Sequence, residues 1–423
     1  MHRPLATLAA LASTASLAAA QSSIANALAS SDPLVRTYDA HVTTLANPAM
    51  GGRLPGSQGM EWAKQYVEHY FEAAGLEPAF GSGEPSWRQP FPLGRITAEN
   101  VGGVLPGVGE LADEYVVVGA HLDHLGTGLF GSRGTVGMLH PGADDNASGV
   151  AGILVLAEML AADFADDTAD RRGVLFLAFS GEESGLHGAN YYVDNPIAAA
   201  DKHALMINFD MIGRIQGGGV SVSGAQSGEG LRNLLEPIFE ESDLTETIEG
   251  TTIAASDHWS FYAAGIPVLF GSASSINPDY HTEDDVSWKI NRVDAVRAMR
   301  VFADVIEAAA THADGFEFVR SDPQRSGPSM ADIRVRFGIR PGAYGDGESG
   351  VAVGGVSPDT SAEAAGLREG DVLIAWDGEE IGDIRGWMGM LARHDPGDVV
   401  VVTILRDGDR QDIEVTLQGK SGN

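Results

Sequence analysis

Histidines and carboxylates gather in short blocks along the middle of this chain: His121-Leu-Asp123-His124, Asp144-Asp145 within Gly142–Gly149, Glu182-Glu183, Asp210, Asp257-His258 and Asp279-Tyr280-His281-Thr282-Glu283. There is no cysteine, which excludes disulfides, thiolate zinc sites and a cysteine nucleophile. Imidazole and carboxylate without thiolate suit zinc or a similar divalent ion. Carboxylates crowded into a dry cleft repel one another, and a pair of divalent cations removes that cost. Such a pair needs a bridging carboxylate, terminal ligands on each side and a free base beside the bound water, and the blocks hold enough candidates for all of these. In the adjacent pair Glu182-Glu183, one carboxylate can ligate a metal while the other takes a proton from water.

The elements that must position these residues are legible too. Tyr115–Ala120, Val174–Phe179, Ala204–Phe209 and Ile266–Phe270 are short, continuous apolar runs, as expected of strands buried on both faces. Helical spacing marks Met60–Gly75, Ala147–Ala162 and Arg292–Ala310. Strand-helix alternation predicts an α/β fold with a mostly parallel central sheet and helices on both faces. Three of the runs lead straight into the polar blocks, and sites in open parallel sheets form at the carboxyl ends of the strands.

These blocks, with Ser256-Asp257-His258 and Tyr280-His281-Thr282, resemble the co-catalytic di-zinc aminopeptidases of the secreted bacterial leucyl aminopeptidase type. The similarity spans about residues 40–312, with every block in the family's order. It implies a zinc-exopeptidase-like fold and two divalent metal ions, zinc being the expected metal. It also implies roles. Asp145 would bridge the metals, His121 and Asp210 would complete one site, and Glu183 and His281 the other. Glu182 would be the general base, Asp123 the carboxylate that orients His121, and Tyr280 a partner of the oxyanion. Asp257 and His258 would shape the pocket. The expected reaction is release of N-terminal amino acids from peptides with a free amino terminus. Carboxypeptidase and glutaminyl-cyclase-like chemistry on the same scaffold are alternatives, although cyclases typically lack the first histidine of the HxD block. A non-catalytic peptide binder, guided by the C-terminal part of the chain, is a third reading.

Other polar residues read as structural. Asp144 suits a supporting or helix-start position, and His124, His140, His187 and His203 read as core or surface histidines. Glu283, Asp284 and Asp285 read as solvated, and Gly217-Gly-Gly219 as a turn.

Composition bounds the rest. The chain has 423 residues, enough for two domains, and a formal charge of -32 that repels nucleic acid. Met1–Ala20 has the basic start, apolar run and Ala-Ala-Ala end of a secretory signal, which predicts export to the periplasm or medium. No stretch reads as a membrane span. The expected division is signal 1–20, catalytic domain 21–314, linker 315–330 and a small β-rich domain 331–423. Phe337-Gly-Ile339, Ala364-Ala-Gly366, Gly370-Asp371, Trp376-Asp-Gly378 and Pro396-Gly397-Asp398 make that last domain resemble PDZ modules of bacterial exported proteases. This implies a groove for a peptide C-terminus, with Val335–Ile339 supplying amides and a helix near 385–392 as the far wall.

Overall fold

The apolar runs become the centre of a sheet because their alternate residues bury against different partners. In β4 (Tyr115–His121), Val116 and Val118 join one hydrophobic cluster while Val117 joins another. In β5 (Gly173–Phe179), Phe176 and Ala178 face the first cluster and Leu177 and Phe179 the second. Successive side chains of a strand point to opposite faces, so both faces are covered.

The protein is described here from a computed structural model. It covers residues 25–321, apart from 28, 82, 130, 166–167, 253 and 276. It also covers residues 334–419, apart from 342–349, 359, 369, 382–386, 388–389, 392 and 407–408. The signal segment expected over 1–20 lies outside the described residues.

Nine strands form the larger sheet among the described residues. β1 (Glu77–Pro78), β2 (Arg88–Leu93) and β3 (Ile96–Leu105) lie at one edge. β4, β5, β6 (His203–Phe209) and β9 (Val268–Ala273) make the parallel centre in the order β5-β4-β6-β9. β7 (Gly219–Ser223) and β8 (Thr245–Ile248) close the other edge, β7 antiparallel to β9. β3 also runs antiparallel to β5, so the sheet is parallel where the site blocks emerge and mixed at its margins.

On one face, α1 (Pro33–Leu45), α3 (Gly149–Asp163) and α7 (Arg292–Thr311) pack together. α2 (Gln58–Ala73) packs near β3. Asp32 accepts from the Leu34 amide at the start of α1, with Pro33 in the first turn, and Ser57 accepts from the Met60 amide at the start of α2. α3 is apolar nearly all round, as its place between sheet and helices requires. With the turn before it, α3 is long and apolar enough to cross a membrane, but most of it is buried in this core. On the other face lie α4 (His187–Asp194) and α6 (His258–Ala263), with Tyr192, Phe261 and Tyr262 against Leu177 and Val268. α5 (Leu231–Glu240) packs Leu235 and Phe239 towards α7.

Chain contacts divide the molecule into residues 1–321 and 322–423. Of the linker expected over 315–330, the described part lies against the first unit. Phe316 is buried, Phe318 bridges Gly228, and the Val319 amide donates to the Ser227 carbonyl. Residues 322–330 lie outside the described residues.

The second unit is an antiparallel β structure with its own core of Phe337, Val353, Leu373, Trp376, Trp387, Val402 and Ile404. Val399–Arg406 pairs with Asp409–Thr416 along its length. The helix expected near 385–392 lies mostly outside the described residues.

Candidate metal centre

His121 is the last residue of β4, Glu182 and Glu183 follow β5, and Asp210 follows β6. Asp145 lies in the turn between Gly142 and α3, where the Asp145–Asn146 peptide is cis. His281 comes from the loop after β9 and has a left-handed backbone (φ 59°). Strand ends at neighbouring positions of a parallel sheet thus deliver ligands 160 residues apart in the chain to one rim.

Asp145 stands at the middle of the group. His121 Nε2 lies 3.2 Å from Asp145 Oδ1 and 3.4 Å from Asp210 Oδ2. His281 Nε2 lies 3.1 Å from Asp145 Oδ2 and 2.9 Å from Glu183 Oε2. One carboxylate therefore presents one oxygen to each of two histidine–carboxylate pairs.

The imidazole tautomers suit cation binding. His121 Nδ1 donates to the Asp123 carbonyl (3.1 Å), and His281 Nδ1 donates to the Gly131 carbonyl (2.8 Å). Both Nε2 lone pairs are thereby turned towards Asp145. Although 3.1 Å apart, Asp145 Oδ2 and His281 Nε2 make no aligned hydrogen bond, and Asp210 Oδ1 also has none. Buried polar atoms without partners in a cluster of imidazole and carboxylate are what bound ions would satisfy.

Electrostatics lead to the same conclusion. Burial opposes the charged form of His121, yet Asp210, Glu182 and Asp145 outweigh it and raise its pKa well above the usual value. Burial likewise opposes charge on His281, but Asp145 and Glu183 raise it to about 10. Burial pushes Glu182 well up, reinforced by Asp257, Asp210 and Glu183. Asp257 is wholly buried and raised well above the ordinary carboxyl range by that burial, with Asp123 and Asp210 adding to it. The group demands positive charge, which protonated histidines supply in the absence of a cation and divalent ions would supply as ligands of neutral imidazole.

The surroundings correct several readings from the sequence. Asp123 meets His121 Nδ1 through its main-chain carbonyl, while its carboxylate accepts from the Glu182 amide (3.1 Å). Asp123 thus holds the start of the Glu182-Glu183 turn, and burial raises its pKa to about 6. His124 is no passive core histidine. It is fully buried, and its Nδ1 donates to Glu183 Oε1 at 2.6 Å. His124, Asp145 and Glu183 offer ligand atoms close enough to hold an ion, as do His121, Asp145 and Asp210.

Asp285 is not solvated. It is fully buried and accepts from the amides of Asp144 (3.0 Å) and Asp145 (3.0 Å), fixing the turn that carries Asp145. Asp144 supports the same turn, accepting from the Gly213 amide (2.8 Å) and from Asn277 Nδ2 (3.0 Å). Gly142 (φ 58°) opens that turn against His124, and a Cβ there would lie 2.2 Å from the Asp145 carbonyl oxygen. Of the other sequence-assigned residues, Tyr280 stands beside the group. Tyr280 stacks on His281 with ring centroids 3.8 Å apart, and His258 stacks on Phe270. His140 and His203 are buried, hydrogen-bonded to Ser132 and Tyr192 respectively, and play no part in the cluster.

Residues 100–306 match Peptidase family M28, and residues 315–417 match the PDZ domain. Leucine aminopeptidase 1 of Trichophyton equinum is 30% identical over 247 residues, which cover 55% of this chain and 61% of that protein. The chain thus spans about three fifths of the length of this curated relative. Among solved structures, a Zn-dependent exopeptidase from Parabacteroides distasonis superposes with a TM-score of 0.53 at 17% identity, covering 64% of this chain and 97% of that one. Tannerella forsythia glutaminyl cyclase gives the same TM-score, 0.53, at 17% identity, covering 66% and 99%. These likenesses show a shared fold, a central sheet flanked by helices.

Proposed function

We propose that this chain, whose residues 100–306 belong to Peptidase family M28 and whose residues 315–417 are a PDZ domain, is a metal-dependent aminopeptidase working with two divalent ions. The observation that carries the reading is the division of Asp145, with Oδ1 3.2 Å from His121 and Oδ2 3.1 Å from His281. His121, Asp145 and Asp210 would hold one ion, and Asp145, Glu183 and His281 the other. When bound there, the ions, zinc being the expected pair, supply the positive charge that polarises a peptide carbonyl and makes water a nucleophile at neutral pH.

The chain's own residues do the rest. Glu182 stands among His121, Asp210, Asp257 and Glu183, which perturb its ionisation. Its carboxylate accepts a proton as water oxygen bonds to the carbonyl carbon, and it returns a proton to the amine nitrogen as the C–N bond breaks. Tyr280, stacked on His281, would support the oxyanion. The surplus of carboxylates around the centre attracts the protonated amino terminus of a peptide. The PDZ domain would take an extended peptide C-terminus by strand addition.

Glu182→Gln tests the reading. The variant should keep its metals and its thermal stability while kcat on aminoacyl anilides falls by about 10²–10⁴. Turnover at the wild-type rate with both metals bound would remove the proposed base. Counting metals per chain separates the glutaminyl-cyclase-like alternative, for which one tight zinc is the expected result. The two histidine–carboxylate pairs on either side of Asp145 favour two.

A further inference from the structure

Arg53 is, with Arg172, among the largest fully buried side chains described, with 0% exposure. A buried guanidinium is costly and ordinarily has a carboxylate partner. Arg53 makes no ion pair among the described residues, and its hydrogen bonds all go to main-chain carbonyls. Nε donates to Leu122 (2.8 Å), Nη1 to Leu45 (2.8 Å) and Pro141 (2.8 Å), and Nη2 to Gly142 (2.9 Å). The placement of these acceptors is informative. Leu122 follows His121, and Pro141-Gly142 opens the turn that delivers Asp144 and Asp145.

The main chain adds to the same clamp. The Arg53 carbonyl accepts from the His124 amide (3.3 Å), and the Gly52 carbonyl accepts from the Gly126 amide (3.1 Å). Gly52 (φ +65°) approaches so closely that a Cβ would lie 2.5 Å from the His140 carbonyl oxygen. Arg53 itself holds a left-handed conformation (φ 46°), which a non-glycine residue adopts only when its surroundings impose it. Its charge is not idle either. Burial lowers its pKa to about 10, and the nearby carboxylates of Asp145, Asp123, Asp285 and Glu183 work against that fall.

We infer that Arg53 is a positioning residue of the metal centre. Its planar fork ties the His121–His124 loop to the Gly142–Asp145 turn and so sets the spacing of His121 from Asp145. Its charge partly offsets the clustered carboxylates before any ion arrives. Lysine cannot replace it, because one ammonium nitrogen cannot span carbonyls that a rigid guanidinium reaches in several directions. This inference rests on the two-metal reading above.

The test compares wild type with Arg53→Lys and with the neutral Arg53→Gln. Leu235→Ala on α5 serves as a control for general loss of stability. Metal affinity is read by competition with a chromophoric chelator, and site geometry by the visible spectrum of the cobalt(II)-loaded protein. The expected result for both Arg53 variants is folded protein with metal affinity weakened about 10–100-fold and an altered cobalt spectrum. At saturating metal, kcat on a small anilide should fall at least about tenfold with KM within about twofold, as for a transition-state geometry that has been loosened. The Leu235→Ala control should lose thermal stability and keep the wild-type affinity and spectrum.

Variants of Arg53 that bind metal and absorb light as wild type does would overturn the assignment. So would a control that weakens metal binding equally, or Arg53 variants that cannot be recovered folded even with zinc present, since each would make Arg53 a folding residue only. Failure of the underlying reading looks different, because wild type itself would then retain no metal.

Discussion

Glu183 divides its oxygens between two histidines. Oε1 accepts a hydrogen bond from His124 Nδ1 (2.6 Å), and Oε2 faces His281 Nε2 at 2.9 Å. The first contact fixes the carboxylate plane, and the second leaves an oxygen for an ion. Such outer partners commonly set how tightly a metal is held. At Asp285 the issue is the fold, because its carboxylate satisfies two buried amides, those of Asp144 and Asp145. Asp285→Ala should cost about 2 kcal/mol in denaturant unfolding of the metal-free protein, the usual penalty for stranding buried donors. An unchanged midpoint would show that water replaces the carboxylate. The sequence exposes Asp145, His121 and Glu183 because they stand in blocks. It hides the roles of His124 and Asp285, since neither the acceptor of the one nor the amides held by the other is marked by neighbouring residues.

Among the helices, α1 carries a titratable group with a structural consequence. His41 is buried on α1 with Nδ1 2.9 Å from the Tyr66 hydroxyl, and its ring packs edge-on to Tyr70 of α2. Burial lowers its pKa from the usual 6.5 to about 4. The folded state thus binds this proton less well than the unfolded chain. The associated stability is fully present above pH 6.5 and is lost as the pH falls towards 4. The shift corresponds to about 3 kcal/mol. His41→Phe should flatten the fall in unfolding free energy between pH 7 and 4.5. A variant with the wild-type slope would place the acid sensitivity elsewhere. The helices themselves are legible, with Met60–Gly75 observed as Gln58–Ala73 and Arg292–Ala310 as Arg292–Thr311. Ala147–Ala162 begins later, at Gly149, because the residues before it are drawn into the turn that presents Asp145. The margin strands are less marked in the sequence: β1, β2 and β8 are only partly buried, and β7, though mostly buried, is short and broken by serines, without the apolar continuity of the centre.

For the whole molecule, the two units have separate hydrophobic cores. Deletion of residues 322–423 should leave a folded catalytic unit with kcat/KM on small aminoacyl substrates within about threefold of the full chain, since every candidate ligand lies before Ser321. Loss of cooperative unfolding in the shortened protein would show that the first core depends on the PDZ domain. What the sequence determined by itself is the chemistry: which side chains could grip a cation, the absence of thiolate, and the strands whose ends carry them. Those follow from residue type and from apolar periodicity, both of which are local. Only the tertiary structure decided how Asp145 shares its oxygens, which imidazole nitrogen faces the cluster, and that Arg53 clamps two loops 69 and 89 residues away. Each of these depends on a main-chain carbonyl or on a carboxylate orientation. A carbonyl is the same at every residue, so its part in a site becomes visible only once the chain has folded around it.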